Sequence, residues 1–251
     1  MSRKLSIDLE KIIESSLEKS RLRTVVTTKE SPVSVSGESE KEEDVVQEAY
    51  VAEPKKYTQS TEFMTQKVKD AHTELYKNYV ESLNRVSAEL DTVPTNESNP
   101  RHSNWKSLKE DETYNVNAVW LHELFFANAF DVKSEVYVDS MAFMRLERDF
   151  GSFEHWQKCF ISCALAAGNG WVVTGYNMFL KRYVTTFVDG HSDSVMLGLY
   201  PVIVIDMWEH AYSKDYLDDK RNYLISRMRE IDWNVVEERV NKAERIAEVL
   251  K

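Results

Sequence analysis

Residues 202–212 read VIVIDMWEHAY, an apolar β-branched run that ends in an acid and is followed four residues later by an imidazole. The run reads as a buried strand and the next helix begins near Glu209, so Asp206 and His210 meet at a strand-to-helix junction. A carboxylate and an imidazole placed there can share a metal ion. Nitrogen and oxygen donors without a thiolate suit iron, manganese or zinc. Each residue alone has a plainer explanation, Asp206 as a helix N-cap and His210 as a satisfied core histidine. The pair together favours metal chemistry.

The rest of the chain must supply the remaining donors and hold them still. Phe63, Val68, Leu75, Tyr79, Leu83, Val86 and Leu90 recur at three- and four-residue steps, which predicts a long helix over 63–90 that carries His72 and Tyr79. Residues 91–112, with Pro94 and Pro100, break that pattern, and a second helix over 116–129 carries His122. Two such helices form a hairpin that can present inward side chains to one point. Residues 152–167 are expected to be helical, and 171–176, 183–188 and 202–205 to be strands of a small antiparallel sheet. Helices return over 209–231 and 235–250. The expected class is α+β, a helical hairpin followed by an α/β domain with about three strands.

Residues 1–58 differ in composition from the rest of the chain. Leu5, Ile7, Leu9, Ile12, Ile13 and Leu17 mark a short amphipathic helix, and Glu38, Glu40, Glu42, Glu43, Asp44 and Glu48 then face a single Lys41. Such a composition buries too little apolar area to offset its ordering entropy, so a disordered tether is expected. The expected organisation is an extension (1–58), a hairpin domain (59–132) and a C-terminal α/β domain (133–251).

A net charge of −10 over 251 residues argues against nucleic acid as a partner, because a phosphate backbone needs clustered Lys and Arg. No export signal and no run of eighteen apolar residues is visible, so a soluble intracellular protein without a membrane partner is expected. The two cysteines, Cys159 and Cys163, read as buried free thiols in a reducing compartment.

The segment DMWEHAY resembles the signature of the iron/manganese superoxide dismutases, Asp-x-Trp-Glu-His-Ala-Tyr, at every fixed position. GSFEHW at 151–156 and GNGWVV at 168–173 are similar to two further segments of that family, so the resemblance runs from about residue 60 to the C-terminus. It implies one Fe or Mn ion per chain, held by His72, His122, Asp206 and His210, and the disproportionation of superoxide to dioxygen and hydrogen peroxide. It implies that Tyr79 is the gateway tyrosine that orients solvent and passes protons, and that Trp171 and Trp208 wall the metal, although core packing explains both tryptophans equally well.

Three departures accompany the resemblance. His72 stands seven residues before Tyr79 where better-known members have eight, and one residue turns a side chain by about 100° on a regular helix. Leu75 and Ser213 stand where the common homodimer has a His and a Tyr that bond across the subunit interface, while Glu209, which reaches toward the partner in that dimer, is kept. The outer-sphere glutamine is absent, with Ala118 at one of its positions and His191 near the other. His191 is the expected donor to bound solvent; an exposed loop histidine beside Asp189 and Asp193 is the plainer alternative. His102 and His155 are expected on the surface, and Lys77, Arg182 and Lys214 are candidates for steering the anionic substrate.

Two other readings stand beside the enzyme. A dismutase fold recruited as a structural subunit of a virion or ribosome-like particle would use residues 1–58 to dock. A non-haem iron oxygenase needs two His, one carboxylate and open positions, which a fourth ligand disfavours.

Overall fold

The computed structural model describes residues 51–96 and 98–249; the helix expected over 5–17 and the acidic stretch after it lie outside them. Four helices, α1 (Gln66–Leu90), α2 (Asn104–Asn128), α3 (Met141–Phe150) and α4 (Phe153–Ala166), precede strands β1 (Gly170–Asn177), β2 (Arg182–Asp189) and β3 (Leu199–Asp206). Helices α5 (Glu209–Tyr216), α6 (Lys220–Arg229) and α7 (Trp233–Val249) complete the described chain. The three strands form one antiparallel sheet in the order β2-β1-β3, so the class is α+β. Among the described residues no helix is long and apolar enough to cross a membrane.

The chain divides into two compact units. One takes in residues 51–53 and 80–112, with Val80, Leu83, Val86 and Leu108 buried. The other comprises residues 54–79 and 113–251 and contains the whole sheet and every candidate site residue.

Helix α1 is unbroken over its 25 residues, and Val68, His72 and Tyr76 recur at four-residue steps on its buried face. Helix α2 begins at Asn104, well before the expected start. The Ser103 hydroxyl accepts from the Lys106 N–H at 3.2 Å, and Lys106 pairs with Glu110 at 3.4 Å. A cap and an exposed ion pair start a helix that has no apolar stripe there to announce it.

Helix α3 was not expected. Only Ala142 and Leu146 are buried along it, too few to show a period, and its start is held from outside by Glu237, whose carboxylate accepts from the N–H groups of Met141 (2.9 Å) and Ala142 (2.7 Å). Gly151, at φ +83°, ends α3, and Ser152 caps α4 by accepting from His155 N–H at 3.1 Å. The single helix expected over 209–231 is two, separated at Leu217 with φ +55° and restarted by Asp219, which accepts from Asn222 N–H at 2.9 Å.

Strand β1 is buried along its whole length between its two neighbours, while β2 and β3 form the edges. Pro201 is tolerated because β3 is an edge strand. Trp156, fully buried, donates from its indole to Thr174 at 3.0 Å and ties α4 to β1. At the start of β1, a Cβ on Gly170 would lie 2.1 Å from the Val188 carbonyl oxygen, so only glycine lets β2 approach there. Register then places Trp171 opposite Asp206, at the same end of the sheet.

Candidate metal centre

Asp206 is the last residue of β3, and its two carboxylate oxygens have separate tasks. Oδ1 accepts from the Trp208 N–H at 2.8 Å, which fixes the turn into α5. Oδ2 faces His72 Nε2 at 3.0 Å, His210 Nε2 at 3.1 Å and His122 Nε2 at 3.8 Å. His72 comes from α1, His122 from α2 and His210 from the first turn of α5, so four elements converge on one point. One donor atom from each residue lies within 4.8 Å of all the others.

The His72 result bears on the short spacing to Tyr79. Helix α1 stays regular, and the imidazole still points at Asp206.

Hydrogen bonds set the tautomers. His122 Nδ1–H donates to the Ala118 carbonyl at 2.7 Å, so its Nε2 carries a lone pair; that atom is buried and has no protein partner. His72 Nδ1 is likewise buried without a partner. Burial pushes the His72 imidazole below its ordinary pKa against the opposing pull of Asp206, and pushes His122 well below. Burial alone would raise the Asp206 carboxyl. The charge of His210 and hydrogen bonds from His210 and His72 outweigh it and hold the group well below the usual carboxylate range. Asp206 therefore presents an anionic oxygen beside two imidazoles, His72 and His122, that burial holds toward the neutral form, a setting that favours a cation.

Around this core lies an aromatic wall. Trp171 packs edge-on against His122 with ring centroids 4.8 Å apart, and Trp208 stacks on His191 at 5.1 Å and on His210 at 5.8 Å. Tyr79 lies 5.4 Å from His122 and 5.0 Å from His191, centroid to centroid. His191 is fully buried, which removes the exposed-loop alternative. Its Nδ1 accepts from the Trp171 indole at 2.9 Å and its Nε2 lies 3.0 Å from the Tyr79 hydroxyl. Burial pushes its pKa down to about 4.

Other expectations fare unevenly. His102 and His155 are exposed, as expected, and Cys159 and Cys163 are free but half-buried rather than buried. Arg182 cannot steer an anion to this site, because it pairs with Asn177 at the opposite end of the sheet and bonds the Asp149 carbonyl at 2.6 Å. Lys77 and Lys214 are exposed, and Lys77 is paired with Glu74 at 3.3 Å.

The sequence reading also missed supporting groups. Tyr223, fully buried, donates its hydroxyl to the Asp206 carbonyl at 2.8 Å and anchors that residue from behind. No local pattern could show this, since it depends on how α6 packs. Residues 54–61 form a strap: Lys55 N–H donates to the Tyr76 hydroxyl at 3.0 Å, Tyr76 donates to Glu123 at 2.9 Å, and the Lys55 ammonium closes the loop on Glu123. Farther along the strap, Thr61 bonds Glu230 at 2.6 Å, and Glu230 is paired at 2.7 Å with Arg227, both charges fully buried.

A three-histidine, one-aspartate cluster at the end of a small antiparallel sheet, fed by two long helices, defines a metalloprotein of the α+β class. Residues 140–239 match the family described as iron/manganese superoxide dismutases, C-terminal domain. The chain is 32% identical over 179 residues to the superoxide dismutase [Fe] of Aquifex aeolicus (strain VF5), covering 70% of this chain and 83% of the relative. It is 34% identical over 165 residues to the superoxide dismutase [Fe] of Cupriavidus metallidurans (63% and 78% covered), and 29% identical over 165 residues to the superoxide dismutase [Mn] 2 of Halobacterium salinarum (66% and 80% covered). The chain belongs to the iron/manganese superoxide dismutase family.

Proposed function

We propose that this protein disproportionates superoxide, using one iron or manganese ion held by His72, His122, Asp206 and His210. The observation that carries the reading is the convergence of three imidazole nitrogens on one buried carboxylate oxygen. The residues fit such an ion. Donors at about 2.1 Å from a common centre stand about 3.0–4.2 Å apart, the range in which the three spacings to Asp206 Oδ2 fall, and the unpartnered, buried Nε2 of His122 needs a ligand.

Iron or manganese bound there supplies a one-electron couple that turns two superoxide ions and two protons into dioxygen and hydrogen peroxide. The protein's own groups do the rest. Trp171 and Trp208 exclude bulk water, and Asp206 fixes the charge of the cavity. His191 holds the Tyr79 hydroxyl at the cavity wall, where it can orient solvent and deliver a proton.

The oligomer we propose is a homodimer: Glu209 is exposed beside His210, whose side chain is 25% exposed, at a surface that a second copy can reach. The division into an extension (1–58), a hairpin (59–132) and an α/β domain (133–251) is likewise a proposal. A structural role in a larger particle draws no support from the relatives, which are named as dismutases.

The test is metal analysis of the purified protein with a superoxide-consumption assay, on the full chain and on a chain beginning at Val51. Stoichiometric iron or manganese and activity in both support the enzyme. A folded protein that stays inactive when loaded refutes it.

A further inference from the structure

Arg227 and Glu230 form an ion pair that the proposed chemistry does not use. Both side chains are fully buried and 2.7 Å apart, and Arg227 Nε has no hydrogen-bond partner among the described residues. Replacing such a pair by well-packed apolar residues is often neutral or stabilising, so stability alone does not account for it. The best-attested use of a buried polar pair is to fix register.

Its side-chain hydrogen bonds reach the chain just before α1. Arg227 donates from Nη2 to the Thr61 hydroxyl oxygen at 2.9 Å and from Nη1 to the Met64 sulfur at 3.3 Å, and the Thr61 hydroxyl donates to the Glu230 oxygens at 2.6 and 2.8 Å. The neighbouring positions are held from α5. Tyr216 donates to the Phe63 carbonyl at 2.8 Å, and Asp215 accepts from the Thr65 N–H at 2.7 Å and the Thr65 hydroxyl at 2.8 Å. The Thr65 carbonyl then accepts from the Val68 N–H at 3.0 Å and opens α1. His72 follows Thr65 by seven residues, two turns or about 10.5 Å along an unbroken helix, so the two share a face. A displacement at the entry to α1 is carried to the imidazole.

His72 depends on such a hold more than His122 does. The His122 ring is fixed within its own helix by the bond from Nδ1–H to the Ala118 carbonyl at 2.7 Å. His72 Nδ1 is buried without a partner, so among the described residues no hydrogen bond behind the ring sets its orientation. The clamp also starts from the right place. Tyr223, one turn before Arg227 on α6, donates to the Asp206 carbonyl at 2.8 Å, and the Arg227 guanidinium stands 5.9 Å from the Tyr223 ring centroid. One helix therefore holds Asp206 through one residue and the entry to α1 through another.

We propose that Arg227 and Glu230 are positioning residues for His72: they clamp the chain at Thr61 and Met64 to α6 and so set where α1 presents its imidazole to Asp206. This rests on the metal reading above.

The first test is the double variant Arg227→Leu/Glu230→Leu, which removes the clamp without leaving a charge unpaired. Its urea midpoint is expected close to that of the wild type, while its affinity for Mn²⁺, measured by competition against a chelator, falls by about tenfold or more. In the metal-free protein labelled with ¹⁵N-histidine, the ring signals of His72 should move more than those of His122. A second variant, Thr61→Val, takes one hydroxyl from the clamp and keeps both charges. It should weaken Mn²⁺ binding in the same direction, and Thr61→Ser, which keeps the hydroxyl, should bind as the wild type does. Affinities within about twofold of wild type in the double variant and Thr61→Val, or His72 signals that move no more than those of His122, overturn the proposal. So does a loss that Thr61→Ser shares with Thr61→Val. If the double variant does not fold, the two Thr61 variants decide. If the wild-type protein binds neither iron nor manganese, the metal reading fails, and the metal-free spectra still decide whether the clamp orients His72.

Discussion

Lowering the pH of the metal-free protein from 7.5 to 5.5 should destabilise it sharply, through histidines that the fold keeps neutral. His72 and His122 are pushed down by burial, and His191 is pushed down to about 4, each from an ordinary value of 6.5. The unfolded chain takes up these protons as pH falls through about 6.5, and the native chain takes up fewer. Stability therefore falls with pH, since the unfolded state binds more protons throughout the window. For His191, neutral in the native state at pH 5.5, the loss is about 1.3 kcal/mol, and His72 and His122 add to it in the same direction. Asp206 titrates below its ordinary value of 3.8 and contributes nothing in this interval. Urea unfolding of the metal-free protein at the two pH values is the assay. With an m-value of about 2 kcal/mol per molar, the midpoint should drop by at least about 0.6 M. A midpoint that stays constant or rises would refute the reasoning, because it would mean that these imidazoles accept protons in the folded protein as readily as in the unfolded one.

Replacing Asp206 by Ala removes the oxygen on which three imidazoles converge, and metal affinity should fall by at least about 100-fold; competition against a chelator measures it, and full metal retention would argue against the site. Arg227→Leu leaves Glu230 buried without its partner and should cost about 3–5 kcal/mol in urea unfolding, while adding Glu230→Leu should recover much of the loss. Equal losses in the single and double variants would show that packing, and not the unpaired charge, is responsible.

The site was legible where function is written locally. Asp206 and His210 lie four residues apart in one motif, and their junction is visible from a β-branched run giving way to a helix. His72 and His122 could be placed only through the family resemblance, because nothing local distinguishes either from a core histidine. The regular α1 then shows that the shorter spacing to Tyr79 needs no distortion. The three strands were found because each is rich in β-branched and aromatic residues, whereas α3 and the opening turns of α2 were missed because caps and ion pairs hold them rather than an apolar stripe. The burial of His191 was not legible, since a DGHSD loop gives no sign of it.

The order in which the donors occur along the chain has a consequence for how the protein is made. His72 and the carboxylate it bonds are 134 residues apart, and His210 comes after that carboxylate. At about 5–20 residues per second, a ribosome would release His72 roughly 7–27 s before Asp206 exists. Through that interval the two long helices carry imidazoles with no anion between them. A metal ion held by all four donors, as proposed above, would be captured only once β3 is synthesised and seated beside β1.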